Sequence, residues 1–423
     1  MHCTHHIQIT NINNTHKQLS IIQLLLIYHT NTTTHHQTHT VSIMKLFRLL
    51  EFDEIKSFLL TKKQTCISID LSSVYCLHYR ATVLILIAFC LLVTARQFFG
   101  DPIDCVVNEK EEHFEKVINR YCWIQTTFSV ESAWHKPVGS EVAYPGVDKA
   151  TPDDVVIYHA YYQWVWLLLL LQAFLFYVPY IIWEQYEGNI TNRLLNGLNS
   201  GVMSQTDRMN KISKVSEYLY RTKNHHTFRF LIYTSTEMLN LFNVVMQMLL
   251  LDRFLGGKFL NYGFQVFNFN GWTQFPLQYD PMMKLFPRMT KCTFHQFGSS
   301  GDIQKHDTIC VLPINIVNEK TYLFLWFWLI LLMIATFCLA LWRILSIMCP
   351  CIRVIILQAN CSCSRSDVQQ VLKYNGIGDW FVLCLLAKNM EKNNFKVLIA
   401  DLTVRMKQKK EKKLNNTFSC NTI

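Results

Sequence analysis

The sequence has few charged residues for its length. Only 17% of its 423 residues are charged, against about 25% in a typical soluble protein, whereas half are apolar. The apolar residues form four blocks, each comparable with the roughly 20 residues that an α-helix needs to cross about 30 Å of hydrocarbon. This distribution excludes a purely cytosolic enzyme. The net charge of +10 does not by itself indicate nucleic-acid binding, because membrane proteins concentrate Lys and Arg on their cytoplasmic side.

Catalytic motifs are absent as well. The sequence contains no P-loop, no GxSxG, no HExxH and no dinucleotide-binding fingerprint. Two Cys-x-Cys pairs follow the fourth apolar block, but structural zinc sites normally separate paired cysteines by two to four residues. We therefore expect a protein that is not an enzyme and that has no cofactor and no metal site.

The first two apolar blocks differ in length. The first is a run of 15 uncharged residues between Arg80 and Arg96, so we expect both arginines to bend towards opposite membrane interfaces. The second lies in a stretch without Asp, Glu, Lys or Arg between Asp154 and Glu184, with Tyr and Trp at its ends. Pro179 near its end removes one helical hydrogen bond, which predicts a kink or a helix end there and a hinge in the helix.

The third and fourth blocks differ in polarity. The third, from Phe230 to Leu251, contains the single charge of Glu237 and a polar row on one helix face: Thr236, Asn240, Asn243 and Gln247. This row indicates either a pore wall or hydrogen bonds between helices, and we favour the second interpretation. The fourth block, from Thr321 to Trp342, has no charge.

These blocks predict an all-α membrane protein with four transmembrane helices. The predicted spans are 80–99, 158–183, 230–255 and 321–345, and the loops between them are 100–157, 184–229 and 256–320. Lys and Arg outnumber Asp and Glu by 7 to 4 in the middle loop and by 13 to 5 from Arg343 onwards, whereas the first loop has 5 against 11. The middle loop, both termini and the C-terminal region 346–423 are therefore expected on the cytoplasmic side.

Cysteine is missing from the middle loop, whereas each of the other two loops has a pair. Cys105 and Cys122 are separated by 16 residues, and Cys292 and Cys310 by 17. Because disulfides persist in oxidising compartments, this supports an extracellular position for both loops. The similar spacings fit a nested pairing of Cys105 with Cys310 and of Cys122 with Cys292. Pairing within each loop remains possible, since four cysteines allow three connectivities.

The N-terminal part of the chain has a different composition. Residues 1–43 are rich in Thr, Asn and His and contain eight of the 16 histidines, which is typical of a low-complexity extension. We expect the functional protein to begin at Met44. The segment 44–79 starts with an amphipathic pattern, which predicts either an interfacial helix or a helix that folds into a pore mouth.

Several motifs resemble those of one family, the innexins, the gap-junction channel proteins of invertebrates. They are YYQWV at 161–165 (Tyr161, Tyr162, Gln163, Trp164 and Val165), the QAFLFYVPYIIW that follows, HYRATVLILIAFCLLVTARQFFGDPIDC at 78–105, YCW at 121–123, and the segment from DPMMKLFPRMTKC to YLFLWFW at 280–328. The resemblance extends from about Met44 to Asp401. It implies a four-helix subunit with cytoplasmic termini and disulfide-linked extracellular loops, which assembles with other innexin-type subunits into a ring. Such a ring would lie in the plasma membrane at cell junctions and dock head to head with a ring of the adjacent cell.

The resemblance also implies a position for the selectivity of the pore. In innexins the stretch after the pore-lining part of the first helix corresponds to Arg96, Asp101 and Asp104. Each position becomes a ring of like charge in an oligomer, and two acidic rings would favour cations. Alternatively, Asp101 begins a turn with Pro102, Arg96 only reaches the membrane interface, and Asp104 is buried beside the disulfide.

Three functions are compatible with this sequence. The leading prediction is a channel that passes ions and small metabolites between adjacent cells. The first alternative is an undocked hemichannel that releases small solutes. The second, from a different class, is a four-span adhesion or scaffold protein without a pore.

Overall fold

Long apolar helices dominate the computed structural model. It describes residues 72–107, 112–188, 190–195, 198, 204–269, 280–360 and 363–420, all within the unit Ile67–Ile423. The predicted N-terminal extension 1–43 and the amphipathic pattern that follows Met44 lie outside the described residues.

The described helices are, in chain order, α1 (Ser73–Phe99), α2 (Glu112–Gln125), α3 (Val165–Glu187), α4 (Ile190–Leu195), α5 (Gln205–Arg221), α6 (Thr227–Phe254), α7 (Phe259–Phe267), α8 (Pro281–Leu285), α9 (Pro313–Met348), α10 (Pro350–Asn360), α11 (Arg365–Tyr374), α12 (Ile377–Asn389) and α13 (Lys392–Cys420). The strands are β1 (Asp104–Cys105), β2 (Thr127–Val130), β3 (Val156–His159), β4 (Met289–Phe297) and β5 (Ile303–Val311).

Three described helices, α1, α3 and α9, are each long and apolar enough to cross a membrane. A fourth crossing is obtained if α6 and α7, which meet at an angle of 87°, are counted as one broken span. α1 begins seven residues before the predicted start of the first span, with Ser72 as its N-cap. It includes a π-helical turn, Leu77–Thr82, in which the Thr82 hydroxyl donates to the Leu77 carbonyl at 2.9 Å. The first helix is therefore not short for a membrane span.

Two apolar cores hold the opposite ends of these helices. The first core contains the later part of α1, the early part of α3, the later part of α6 and the early part of α9, together with residues of the cysteine-containing loops. The second contains the opposite ends of α1, α3 and α6, packed against helices from the middle loop and the C-terminal region. Consecutive long helices therefore run in opposite directions between the two cores.

A five-stranded antiparallel sheet, termed the loop sheet, is formed by β1–β5 in the order β1-β5-β4-β2-β3. β4 and β5 form a hairpin of nine residue pairs, from Met289 opposite Val311 to Phe297 opposite Ile303. The structure is mostly helical, as the apolar blocks predicted, but the expectation of an all-α protein is wrong, since the sequence analysis did not predict this sheet. β1, β2 and β3 have only two to four residues, too few to show the alternating pattern of a strand.

Candidate functional site

Two disulfides connect the first loop, 100–157, to the third loop, 256–320. Cys105 of β1 is bonded to Cys310 of β5, and Cys122 of α2 to Cys292 of β4. These are the partners of the nested pairing, and all four side chains are buried. The bonds join positions 205 and 170 residues apart, so each restrains a very long loop of the unfolded chain and contributes roughly 2 to 4 kcal/mol.

The three cysteines Cys105, Cys122 and Cys310 also form the one group of side chains, within the described ranges, that is close enough to hold a metal ion. Their sulfur atoms are already in disulfides. We therefore assign this cluster to structure.

Helix α2 packs on the hairpin through aromatic side chains. Phe114 and Tyr121 of α2 both make edge contacts with Phe294 of β4, with ring centroids 6.1 and 4.9 Å apart. The amide of Cys105 donates to the side-chain oxygen of Asn119 at 2.9 Å, which ties β1 to the same helix. The disulfides, the aromatic contacts and this hydrogen bond hold the first and third loops in one fixed arrangement.

A polar group on the hairpin adds to this rigidity. Asp307 of β5 accepts from the Lys291 ammonium at 3.0 Å and from the Thr293 hydroxyl at 2.7 Å. Burial opposes ionisation of Asp307, but these hydrogen bonds outweigh it and lower its pKa. The carboxylate is therefore charged at neutral pH and links β4 to β5.

The YYQWV motif lies where the loop sheet meets α3. Tyr161, Tyr162 and Gln163 form one turn of 3₁₀ helix. The Tyr162 ring is buried and lies 4.8 Å from that of Trp123 in the YCW motif, and the Gln163 amide donates to the Trp123 carbonyl. The two motifs therefore contact each other, and these contacts connect α2 to the start of α3.

The remaining residues of this motif are divided between the core and the surface. Val165, the first residue of α3, is fully buried, whereas Trp164 is 56% exposed. The Tyr161 ring lies 5.6 Å from that of Phe286, which comes just before the hairpin. At the base of the hairpin, Arg288 donates three hydrogen bonds to the buried carboxylate of Glu319 in α9. These contacts connect the loop sheet to both α3 and α9.

The three residues predicted to form charged rings are all exposed and lie around one end of α1. Arg96 is in the last turn of that helix, Asp101 follows its end, and Asp104 is in β1 opposite Val311. Asp104 is not covered by the disulfide, since its side chain faces solvent while Cys105 is buried. In the single subunit all three side chains are therefore exposed to solvent at the loop-sheet end of the helices.

Pro179 does not end its helix. α3 continues to Glu187, eight residues further on. Pro179 cannot donate to the Leu175 carbonyl, and this carbonyl instead accepts from the Asn243 side chain of α6 at 3.3 Å. The Pro179 carbonyl accepts from the Tyr75 hydroxyl of α1 at 2.9 Å. Neighbouring helices thus supply hydrogen bonds on both sides of the proline.

The polar row of α6 faces other parts of the same subunit. Thr236, Asn240 and Gln247 are buried, and Asn243 bonds to α3 as described above. This placement supports the interpretation as helix–helix contacts and not as a pore wall. Gln247 also donates to the Asn243 side chain at 3.2 Å, so two residues of the row are hydrogen-bonded to each other.

Sequence analysis missed the partner of Glu237. Its carboxylate accepts two hydrogen bonds from the Arg343 guanidinium of α9, at 2.6 and 2.7 Å. Both side chains are almost completely buried, with 1% and 5% exposed. The available signal was the occurrence of one acid in the third block and one base at the end of the fourth, since charges inside a membrane protein are normally paired.

Comparison with known proteins agrees with these features. The family model for innexins matches residues 72–406. The chain is 41% identical over 363 residues to innexin inx2 of Schistocerca americana, covering 85% of this chain and 98% of that protein. It is 40% identical over 337 residues to innexin shaking-B of Drosophila melanogaster, covering 79% and 90% of the two chains. The resemblance noted in the motifs is thereby confirmed, and the protein is a member of the innexin family.

Proposed function

We propose that this innexin is a gap-junction channel subunit that forms a ring with its own copies or with other innexin-type subunits in the plasma membrane. The ring docks head to head with a ring of the adjacent cell and passes ions and small metabolites between the two cells. Each subunit crosses the membrane four times, with α1, α3, the pair α6–α7, and α9. Its N- and C-termini and its middle loop are cytoplasmic, and its cysteine-containing loops are extracellular.

The observation that carries the docking part of this proposal is the hairpin in the disulfide-linked loop sheet. Its base, Met289 opposite Val311, lies directly before the start of α9. At about 3.4 Å per residue, its tip lies about 27 Å from that base. There Phe297 and Ile303 face each other across the two strands and are 73% and 67% exposed. An exposed apolar pair on a rigid hairpin is suited to contact with an opposing ring.

The test is the conductance of paired cells that express the protein. We expect Phe297→Asp combined with Ile303→Asp to reduce junctional conductance at least tenfold, because two opposed rings would bury uncompensated charges. Currents of single unpaired cells and the amount of protein at the cell surface should not change, since both residues are exposed within the subunit. The control is Val155→Asp, compared with each single variant, Phe297→Asp and Ile303→Asp; it adds one charge at another exposed apolar position, 62% exposed, beside β3.

Each outcome separates one part of the proposal from another. Equal loss of coupling in the control would show that the hairpin tip has no special role in docking. Normal coupling in the double variant would show that the rings dock through another part of the loop sheet. Absence of junctional conductance in wild-type pairs, with currents in single cells, would favour a hemichannel. Adhesion without either current would favour the scaffold alternative.

A further inference from the structure

A cavity of about 290 Å³ lies among the helices that follow α9. This volume is at the lower end of the range for small-molecule sites. Trp380 of α12 lines it, and its indole N–H donates to the Arg353 carbonyl of α10 at 3.2 Å. Val354 of α10 and Leu372 of α11 add apolar walls. The cavity is therefore formed by three helices that are fixed to one another within the second core.

The side chains that line this cavity include positive charges but no negative charge. Its lining includes the cations Arg353 and Lys373 and the amides Gln369 and Asn375, but no Asp or Glu. Neither cation forms an ion pair with any residue that the structure describes. The buried Nε of Arg353 has no hydrogen-bond acceptor there either. Two cations that line one cavity without an acidic side chain among its lining, one of them a guanidinium, are suited to bind a phosphate group.

The position of the cavity indicates which kind of molecule would supply a phosphate group. α9 ends at Met348, and the first turn of α10, which begins at Pro350, contributes residues to the cavity lining. This turn therefore lies close to the membrane surface. The apolar side chains of Met348 and Ile355 on the same segment are 74% and 57% exposed, which provides a surface for acyl chains.

We propose that this cavity binds the phosphate group of an anionic membrane lipid, held by Arg353 and Lys373 while the acyl chains lie along the end of α9 and along α10. In the orientation of the proposed function, this is a lipid of the inner leaflet. A soluble phosphate ester offers the same chemistry without acyl chains, so the two sources are separated by experiment.

The binding is measured on the purified full-length chain in detergent by microscale thermophoresis, without any measurement of conductance. The probes are dioctanoyl phosphatidic acid, dioctanoyl phosphatidylcholine and inorganic phosphate. We expect phosphatidic acid to bind more tightly than the other two. Arg353→Gln combined with Lys373→Gln should weaken its binding at least tenfold, since each basic residue near an anionic lipid contributes about a fivefold effect.

Two further variants keep the test independent of folding and of total charge. Lys392→Gln combined with Lys396→Gln removes the same charge from exposed positions of α13 and should leave the affinity unchanged. Gln369→Trp narrows the cavity at an exposed position of its lining and should also weaken binding. Gel filtration and thermal unfolding of each variant report on its fold.

Several results would overturn the proposal. Equal losses in the two charge variants would reduce the effect to general electrostatic attraction. Full affinity in both the Arg353/Lys373 variant and Gln369→Trp would place lipid binding elsewhere. Inorganic phosphate that binds as tightly as phosphatidic acid and competes with it would replace the lipid by a soluble phosphate ester. Because binding is measured on the isolated protein, none of these results depends on whether the rings dock.

Discussion

The buried pair of Glu237 and Arg343 allows a quantitative prediction. Arg343→Gln leaves the Glu237 carboxylate almost fully buried without its two charge-assisted hydrogen bonds. The Arg343 guanidinium also lies 5.6 Å from the centre of the Tyr233 ring, so this contact is lost too. Removing one partner of a buried ion pair typically costs about 3 to 5 kcal/mol. The unfolding entropy of a chain of 423 residues is roughly 0.9 kcal/mol/K, so such a loss lowers the melting temperature by roughly 3 to 6 °C.

The assay is thermal unfolding of the purified protein in detergent, arranged as a double-mutant cycle. Glu237→Gln, Arg343→Gln and the double variant are compared with the wild type. The double variant should be more stable than the Arg343 single variant, because it leaves no isolated charge in the core.

A solvent-exposed pair in the same protein provides the control. Arg221 and Glu217 form an ion pair at i and i+4 of α5, with 75% and 44% of their side chains exposed. Arg221→Gln should therefore cost less than about 1 kcal/mol. If Arg343→Gln were as mild as this control, or if the double variant were as unstable as the sum of the two single variants, the reasoning from burial would be refuted.

Three further predictions concern gating, selectivity and pH. Pro179→Ala restores the helical hydrogen bond for which the Asn243 side chain now substitutes, so the voltage dependence of the conductance should shift while ring assembly is normal. An unchanged voltage dependence would show that Pro179 is not a hinge. Asp101→Asn with Asp104→Asn should lower cation preference and calcium block, measured as reversal potentials in asymmetric salt, and no change would place the filter elsewhere. His159 lies in β3, outside the spanning helix, and burial, with a smaller effect of Lys258, lowers its pKa to about 4. As pH falls from 6.5 to 4 the unfolded chain binds this proton first, so stability should drop by roughly 3 kcal/mol; His159→Gln should flatten this part of the thermal-unfolding profile, and an equal slope in both proteins would contradict the assignment.

The sequence alone was sufficient for features that depend on local composition. Apolar blocks predicted the long helices, because the length and polarity of a segment decide whether it fits a bilayer. The YYQWV motif and the other sequence motifs indicated the family correctly. The spacing of Cys105, Cys122, Cys292 and Cys310 favoured the nested pairing that the structure contains, but it left two other connectivities open.

Tertiary structure decided the features that depend on partners far away in the chain. The loop sheet joins strands from two loops that are separated in the chain by the long helices α3 and α6, and its shortest strands carry no periodic signal of their own. Glu237 and Arg343 are 106 residues apart, so neither position reveals the other. The polar row of α6 was compatible with a pore wall or with helix contacts until the neighbouring helices were in place. The physical reason is the same in each case: local sequence determines which groups are apolar, charged or able to bond, whereas the three-dimensional packing of distant segments determines what each group contacts.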